Sequence, residues 1–316
     1  MKTIVIVTPV YNDWPALSRL LEELESLAAE QGLTFHVLAV NDGSSSLPVS
    51  LPVPGRGVTS LQILHLTRNL GHQRAIAIGL TWVYRMGVQA PVIVMDCDGE
   101  DRPQDIPRLL AESERGADTI IFARRTRRTE GWLFRLFYVL FKSIFRLLTG
   151  RTIAFGNFCL IPSSLLGRVV YLQEIWNHFA AGILRAGLPW TSIPTARGRR
   201  YAGASHMSLV PLVLHGLSAI SVYVEIVYVR LIFFALALLG LDLTGFLVLL
   251  YIRYLTPLAI PGWATTVAIG LTLLASQAFL FLALLTFLLL SYRSARMFIP
   301  ATDYQAYVLQ VERWER

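Results

Sequence analysis

Residues 231–292 contain two apolar runs longer than the core helices of most soluble proteins. The first, 231–252, is interrupted only by Asp242, and the second, 264–292, carries no charged residue. Each meets the length of roughly 20 apolar residues that crosses a bilayer. The link between them, 253–262, is short and holds Pro257, Pro261 and Gly262, so the pair reads as a transmembrane hairpin. Arg230 precedes the first run and Arg293 and Arg296 follow the second, against Arg253 alone in the link. Basic residues collect on the cytosolic side, so this asymmetry predicts that both chain ends are cytosolic. The hairpin also explains a hydrophobic fraction of 54% and a mean hydropathy of +0.53, which are high for a soluble enzyme. The expected division is a cytosolic domain over 1–225, two membrane helices within 226–292 (about 231–252 and 264–292), and a cytosolic amphipathic tail over 293–316.

The first domain alternates short β-branched runs with amphipathic stretches. Strands are predicted at 3–8, 35–40, 61–66, 92–95 and 119–123, and helices at 14–29, 74–86, 106–115 and 132–148, with further helices near Leu165 and over 176–186. Such alternation implies an α/β fold built on a mostly parallel sheet. Residues 43–60, rich in Ser, Pro and Gly, read as a long mobile loop. The apolar run at the N-terminus is too short for a signal peptide and is broken by Pro9. The helix near 131–149 combines many aromatics with Arg135, Lys142 and Arg146, a composition suited to the membrane interface. Cys97 and Cys159 have neither metal-site spacing nor a disulfide framework around them, which fits a reducing compartment. The net charge of +7 concentrates in Arg124, Arg125, Arg127 and Arg128, and in Arg197, Arg199 and Arg200. Clusters of this kind suit phosphorylated ligands, anionic lipid or nucleic acid.

In parallel sheets ligands gather at the carboxyl ends of the strands. Three polar segments follow predicted strands: Pro9-Val-Tyr11-Asn12-Asp13, Asn41-Asp42-Gly-Ser44, and Asp96-Cys97-Asp98-Gly-Glu100-Asp101. Asp96, Asp98 and Glu100 alternate along an extended segment and offer hard oxygen ligands for Mg²⁺ or Mn²⁺, an ion that completes its shell with phosphate oxygens. A Gly-Lys-Ser/Thr phosphate loop is missing, and no Gly-x-Gly-x-x-Gly follows the first strand, which weakens kinase, ATPase and dinucleotide readings. His36, His65, His72 and His215 stand singly and read as structural. Asp242 is costly in a span and suggests local hydrogen bonding or a partner contact.

Taken in order, several motifs resemble glycosyltransferase family 2, whose fold is called GT-A, and within it the polyprenyl-phosphate enzymes similar to dolichyl-phosphate mannose synthase. They are 9–13, 41–44, Arg68-Asn69-Leu-Gly71-His72-Gln73, 95–103, Gly156-Asn157-Phe158, 200–205 and the hairpin. The resemblance implies metal-dependent, inverting hexosyl transfer from a UDP- or GDP-linked sugar to a polyprenyl phosphate, a membrane lipid, with no nucleic acid involved and a homo-oligomer compatible with it. Pro9, Tyr11, Asn12, Asp13, Asp42, Asp96 and Cys97 would bind the nucleotide-sugar. Asp96 and Asp98, with Glu100 where relatives often carry Gln, would hold the metal. Arg124, Arg125, Arg127, Arg199 and Ser205 would face acceptor phosphate, and Asp98, Arg128, Asn157 and Arg200 would serve catalysis. His206 replaces a common Lys. Asn157 stands where many relatives have an Asp that deprotonates or orients the acceptor, and Asn cannot be a base; a phosphate acceptor needs none. Asn177 or His178 is the alternative group shaping acceptor binding. Transfer to a lipid or glycan hydroxyl, or a non-catalytic lipid-binding role, are the other readings. Gln310-Val-Glu-Arg-Trp314 matches the Gln-x-x-Arg-Trp of processive synthases but lies beyond both spans, and is read as a coincidence.

Overall fold

The computed structural model describes residues 2–48, 51–116, 118–125, 132–152, 155–201, 209–258, 260 and 262–315. Arg127, Arg128, Ser205 and His206 therefore lie outside the described residues.

The chain divides into two compact units. One comprises 1–141, 152–222 and 297–316, and the other 142–151 and 223–296. In the first, β1 (Lys2–Val10) shows why the sheet is buried on both faces: Ile4 and Ile6 enter one core and Val5 and Val7 the other. Side chains alternate across a strand, so a strand apolar at every position must be covered twice. One face is covered by α1 (Trp14–Gln31) and α3 (Ile106–Arg115), and the other by α2 (His72–Arg85), α5 (Ser163–Val170) and α6 (Phe179–Arg185). The remaining strands are β2 (Leu33–Asn41), β3 (Val58–Leu66), β4 (Val92–Val94), β5 (Ile120–Arg125), β6 (Cys159–Ile161), β7 (Trp190–Thr195) and β8 (Val308–Glu315). Their order is β7-β5-β6-β4-β1-β2-β3-β8, with β6 and β8 running against the rest. The expected α/β, mostly parallel architecture of the GT-A kind is present. Strand order reverses at β1, which pairs with β2 on one side and β4 on the other. A crevice opens at such a reversal.

Two segments bear on those expectations. Of the tail expected over 293–316, residues 297–316 belong to the first unit, and β8 forms the sheet edge against β3. Trp314 packs on the core, and Phe298 stacks on Trp176 at 3.8 Å. The strand satisfies an edge that would otherwise expose a row of backbone groups. The loop expected to be mobile is held at both ends: the Trp14 indole donates to the Ser46 carbonyl, and the Glu25 carboxylate accepts from the backbone N–H groups of Arg56, Gly57 and Val58.

The second unit contains α8 (Val224–Leu255) and α9 (Trp263–Ser294), each of 32 residues and each long and apolar enough to cross a membrane. At 1.5 Å per residue each is about 48 Å long, more than the hydrocarbon core of roughly 30 Å. Glu225 and Arg293 pair at 3.1 Å where the two helices meet the flanking chain. One carboxylate oxygen of Asp242 is buried without a hydrogen-bond partner among the described residues. The helix expected near the interface is α4 (Trp132–Thr149). Leu140, Ile144 and Leu147 are exposed on one stripe of it, and Lys142 and Arg146 are also exposed. The last helix before α8 is α7 (Leu209–Ser221), in the first unit.

Candidate active site

At the end of β1 the chain turns through Asn12, which adopts a left-handed φ of 53°. Its side chain stabilises that conformation by accepting from the Ser45 N–H, while its own N–H donates to the Ser44 hydroxyl. Ser44 N–H in turn donates to Asn41, whose amide meets His65 at 2.9 Å. The first two polar segments are thus one structure, with Tyr11 left 52% exposed at its rim, free to cover a planar ligand. Asp42, expected to line the nucleoside pocket, is buried, and its two carboxylate oxygens accept from the N–H groups of Leu70 at 2.7 Å and Gly71 at 2.9 Å. Burial outweighs these bonds and pushes its pKa up to about 6. Gly43 is needed beside it: at φ 70°, any Cβ would lie 2.5 Å from the backbone of Arg68 and Asn69.

Across the crevice, β4 ends in the acidic loop. Cys97 approaches the Pro9 carbonyl at 3.6 Å, so the loops after β1 and β4 are in contact. Asp96 is partly buried, and the loss of hydration there, together with the neighbouring carboxylates of Asp101 and Asp98, holds its pKa well above the usual range. Asp98 accepts from the Glu100 N–H at 2.9 Å, closing a tight turn at Gly99, and its other oxygen is 3.5 Å from Arg200. Its pKa is also raised, chiefly by burial. Arg200 sits 3.7 Å from Asp13 as well, so one guanidinium spans the loops after β1 and β4.

Glu100 has different partners from those expected. Its carboxylate is engaged by Arg197 at 2.6 Å and Arg125 at 3.0 Å, and these cations hold its pKa below the usual value against the effect of burial. Arg125 reaches on to Asp101 at 3.0 Å. Of the three residues expected to hold a metal, Glu100 pairs with two arginines, and Asp96 and Asp98 lie on the same loop after β4. Among the described residues no three His, Cys, Asp or Glu side chains form a ready-made ligand group. The segment carrying Arg197, Arg199 and Arg200 lies along the acidic loop: Gly198 N–H donates to the Glu100 carbonyl and Tyr201 N–H to the Asp98 carbonyl, both at 2.9 Å. Gly198 and Gly99 make this approach possible, because a Cβ on Gly198 would fall 2.0 Å from the Gly99 carbonyl. Arg124 and Arg199 are exposed.

Asn157 precedes β6, which runs antiparallel between β4 and β5. It therefore stands at the rim shared by the acidic loop after β4 and the arginines ending β5. Its oxygen accepts from Gln73 at 3.1 Å, and Gln73 also contacts His72 and the Phe179 N–H. His178 caps α6 by accepting the Ala181 N–H at its Nδ1. Its ring lies 4.6 Å from that of His215, which is 5.5 Å from that of His72. Burial, with mutual repulsion as the second cause, lowers the pKa of His72 to about 4 and of His178 to about 3. Sequence reading assigned no task to Gln73 or His215. Gln73 lies within the 68–73 motif, but nothing local links it to Asn157.

A twisted, mostly parallel sheet with acidic and arginine-bearing loops at its reversal point defines a transferase domain of the GT-A kind. The chain belongs to glycosyl transferase family 2, whose family model matches residues 5–176. It is 25% identical over 276 residues to the protein named uncharacterized glycosyltransferase YkcC of Bacillus subtilis, covering 84% of this chain and 82% of that one. It is 31% identical over 134 residues to an undecaprenyl-phosphate 4-deoxy-4-formamido-L-arabinose transferase of Pseudomonas savastanoi, covering 42% of this chain and 39% of that enzyme. Among solved structures it is similar to mannosyl-3-phosphoglycerate synthase from Rubrobacter xylanophilus, with a TM-score of 0.48 at 15% identity, over 70% of this chain and 72% of that one. The chain is a glycosyltransferase.

Proposed function

We propose that this glycosyltransferase moves a sugar from a UDP- or GDP-linked donor to a polyprenyl phosphate at the cytosolic face of a membrane, with inversion at the anomeric carbon. The observation that carries the reading is the neutrality of the groups around Asn157. Asn157 and Gln73 cannot take a proton, and His72 and His178 have pKa values of about 4 and about 3. A sugar hydroxyl needs a base to become a good nucleophile. A phosphate monoester, with a second pKa near 6, arrives already charged. The polyprenyl-phosphate substrate in the name of the Pseudomonas relative supports this choice, as do the two apolar helices. Both flanks of the hairpin belong to one folded unit, which agrees with chain ends on a single side, and the arginine asymmetry favours the cytosol.

In this reading a phosphate oxygen forms the new bond to the anomeric carbon. The bond from that carbon to the donor's diphosphate breaks, and its electrons leave with the nucleoside diphosphate. Asp96 and Asp98 would hold Mg²⁺ or Mn²⁺. Two partly buried carboxylates whose ionisation is disfavoured by burial and by neighbouring carboxylates fit a divalent cation, which would offset charge on the departing diphosphate. Arg200 and Arg125 add fixed positive charge beside it. The test is product chemistry: labelled lipid from incubation with polyprenyl phosphate should release sugar in mild acid, as a glycosyl phosphate does. An acid-stable glycolipid would overturn the reading.

A further inference from the structure

A row of register partners crosses the carboxyl end of the sheet. Val10 in β1 lies beside Asn41 in β2, Asn41 beside His65 in β3, and His65 beside Gln310 in β8. Side chains paired across strands share a face, and Glu312, two residues on from Gln310, projects to that face as well. Hydrogen bonds fix the polarity along the row. The Ser44 backbone N–H can only donate, so the Asn41 atom it meets is Oδ1. The other end of Asn41 is Nδ2, which has no accepting capacity, so His65 Nδ1 accepts from it at 2.9 Å. The imidazole proton therefore sits on Nε2. That atom is buried without a full hydrogen bond among the described residues, and the carboxylate facing it is that of Glu312, with Oε1 at 3.4 Å.

We infer that Glu312, in the strand that follows the two apolar helices, is a positioning residue for the donor nucleotide, acting through His65 and Asn41 on the turn at Asn12. The carboxylate favours the proton on His65 Nε2, which leaves Nδ1 to accept from Asn41. Asn41 so oriented accepts the Ser44 N–H, and the Ser44 hydroxyl accepts the Asn12 N–H at 2.9 Å, where the chain takes its left-handed φ of 53°. Without the carboxylate the buried Nε2–H has no compensating charge, and the other tautomer gains. Its Nδ1–H would oppose the Asn41 N–H₂, and relieving that clash by flipping Asn41 would turn a donor toward the Ser44 N–H. The inference rests on the expectation that residues 9–13 bind the nucleotide-sugar; it is independent of what the acceptor is.

Calorimetric titration of the full-length protein in detergent with UDP and with GDP, each with Mn²⁺, tests this without any acceptor. The Glu312 side chain is 39% exposed at the sheet edge, so its variants leave the core closed. Glu312→Ala is expected to raise the Kd of whichever nucleotide binds the wild type about three- to tenfold, the scale of one hydrogen bond's net contribution. Glu312→Gln, whose Oε1 still accepts from the Nε2–H, should bring the Kd back to within about twofold of wild type. Asn12→Ala checks the turn itself and should raise the Kd at least as much as Glu312→Ala. A strand that only closes the sheet would lower the melting temperature of Glu312→Ala and leave the Kd of the folded protein unmoved. That result, with the Kd of Asn12→Ala raised, would refute the link through His65, as would equal weakening in Glu312→Ala and Glu312→Gln. An unchanged Kd in Asn12→Ala, or no binding of either nucleotide to the wild type, would instead refute the assignment of this turn to the donor, and the inference with it.

Discussion

The two sides of the rim are built from different chemistry. On the side of β1 and β4, charges are paired: Asp13 and Asp98 with Arg200, Glu100 with Arg125 and Arg197, Asp101 with Arg125. Around Asn157, the polar groups are neutral amides and imidazoles joined by hydrogen bonds and ring contacts. Paired charges can be redistributed when a charged ligand enters, because each arginine can exchange one anionic partner for another. A neutral network cannot exchange charge, but it holds the direction of each donor and acceptor. The first arrangement suits a diphosphate and its counter-ion; the second suits orientation of an incoming group.

The sharpest challenge to this contrast is Asp98→Asn. Asn retains the turn-closing acceptor for the Glu100 N–H but loses the charge, and the expected loss in kcat is on the order of 10²–10³-fold, the scale of removing one electrostatic stabiliser, with an unchanged melting temperature. Excess chelator should produce a similar loss in the wild type. Activity within a few-fold of wild type in both experiments would remove the charged side from the chemistry. Next is Glu100→Ala, which leaves Arg125 and Arg197 facing one another without the carboxylate. We expect a stability loss of about 1–3 kcal/mol, readable by denaturant titration, and a raised donor KM. If Glu100 is a metal ligand instead, the variant will show a changed Mn²⁺ dependence with little change in stability.

Asp42→Asn probes the loop that carries Gln73. Asn keeps one acceptor but turns an N–H₂ toward the second backbone N–H, so the predicted cost is about 1–2 kcal/mol. The variant should also remove one pH-dependent contribution. The folded pKa of Asp42, about 6, exceeds its unbound 3.8, so the folded state binds the proton more tightly. The associated stability is present below about pH 4 and declines as pH rises to about 6. The histidines act in the opposite direction. With folded values of about 4 for His72 and about 3 for His178 against an ordinary 6.5, their stability is complete above pH 6.5 and is lost as pH falls toward 4 and 3. The smallest expected effect is His178→Asn, since Asn can still cap α6 by accepting the Ala181 N–H. Its melting temperature at pH 7.5 should lie close to that of the wild type, and its decline between pH 6.5 and 4 should be shallower. An identical acid limb would show that His178 is not a buried neutral imidazole.

Much of this organisation is legible along the chain, for physical reasons that differ by region. Strands such as β1 and β2 are read from contiguous β-branched runs, and α1 is read from its amphipathic pattern over 14–29; in the structure it runs to Gln31 and ends at Gly32, which takes a left-handed φ of 63°. The acidic loop is legible because a cluster of carboxylates directly after an apolar strand needs compensation. Other features carry no local signal. β6 has only three residues, and β8 has Glu312 and Arg313 within an edge strand, so neither shows a strong strand pattern. Glu100 was matched to a metal by its spacing from Asp96 and Asp98, but its side chain turned to arginines that spacing cannot rank.

By itself, the sequence determined the pair of long apolar helices, the alternating order of the sheet and the identity of the loops at its carboxyl rim. Each depends on the periodicity or length of a contiguous segment, and such properties survive without knowledge of distant neighbours. Only the tertiary structure decided which of the arginines would neutralise which carboxylate, that the C-terminal residues would close the sheet against β3, and that Gln73 would hydrogen-bond to Asn157. Those outcomes are selected by proximity between segments far apart in the chain. A hydrogen bond or ion pair depends steeply on distance and angle, and folding fixes both.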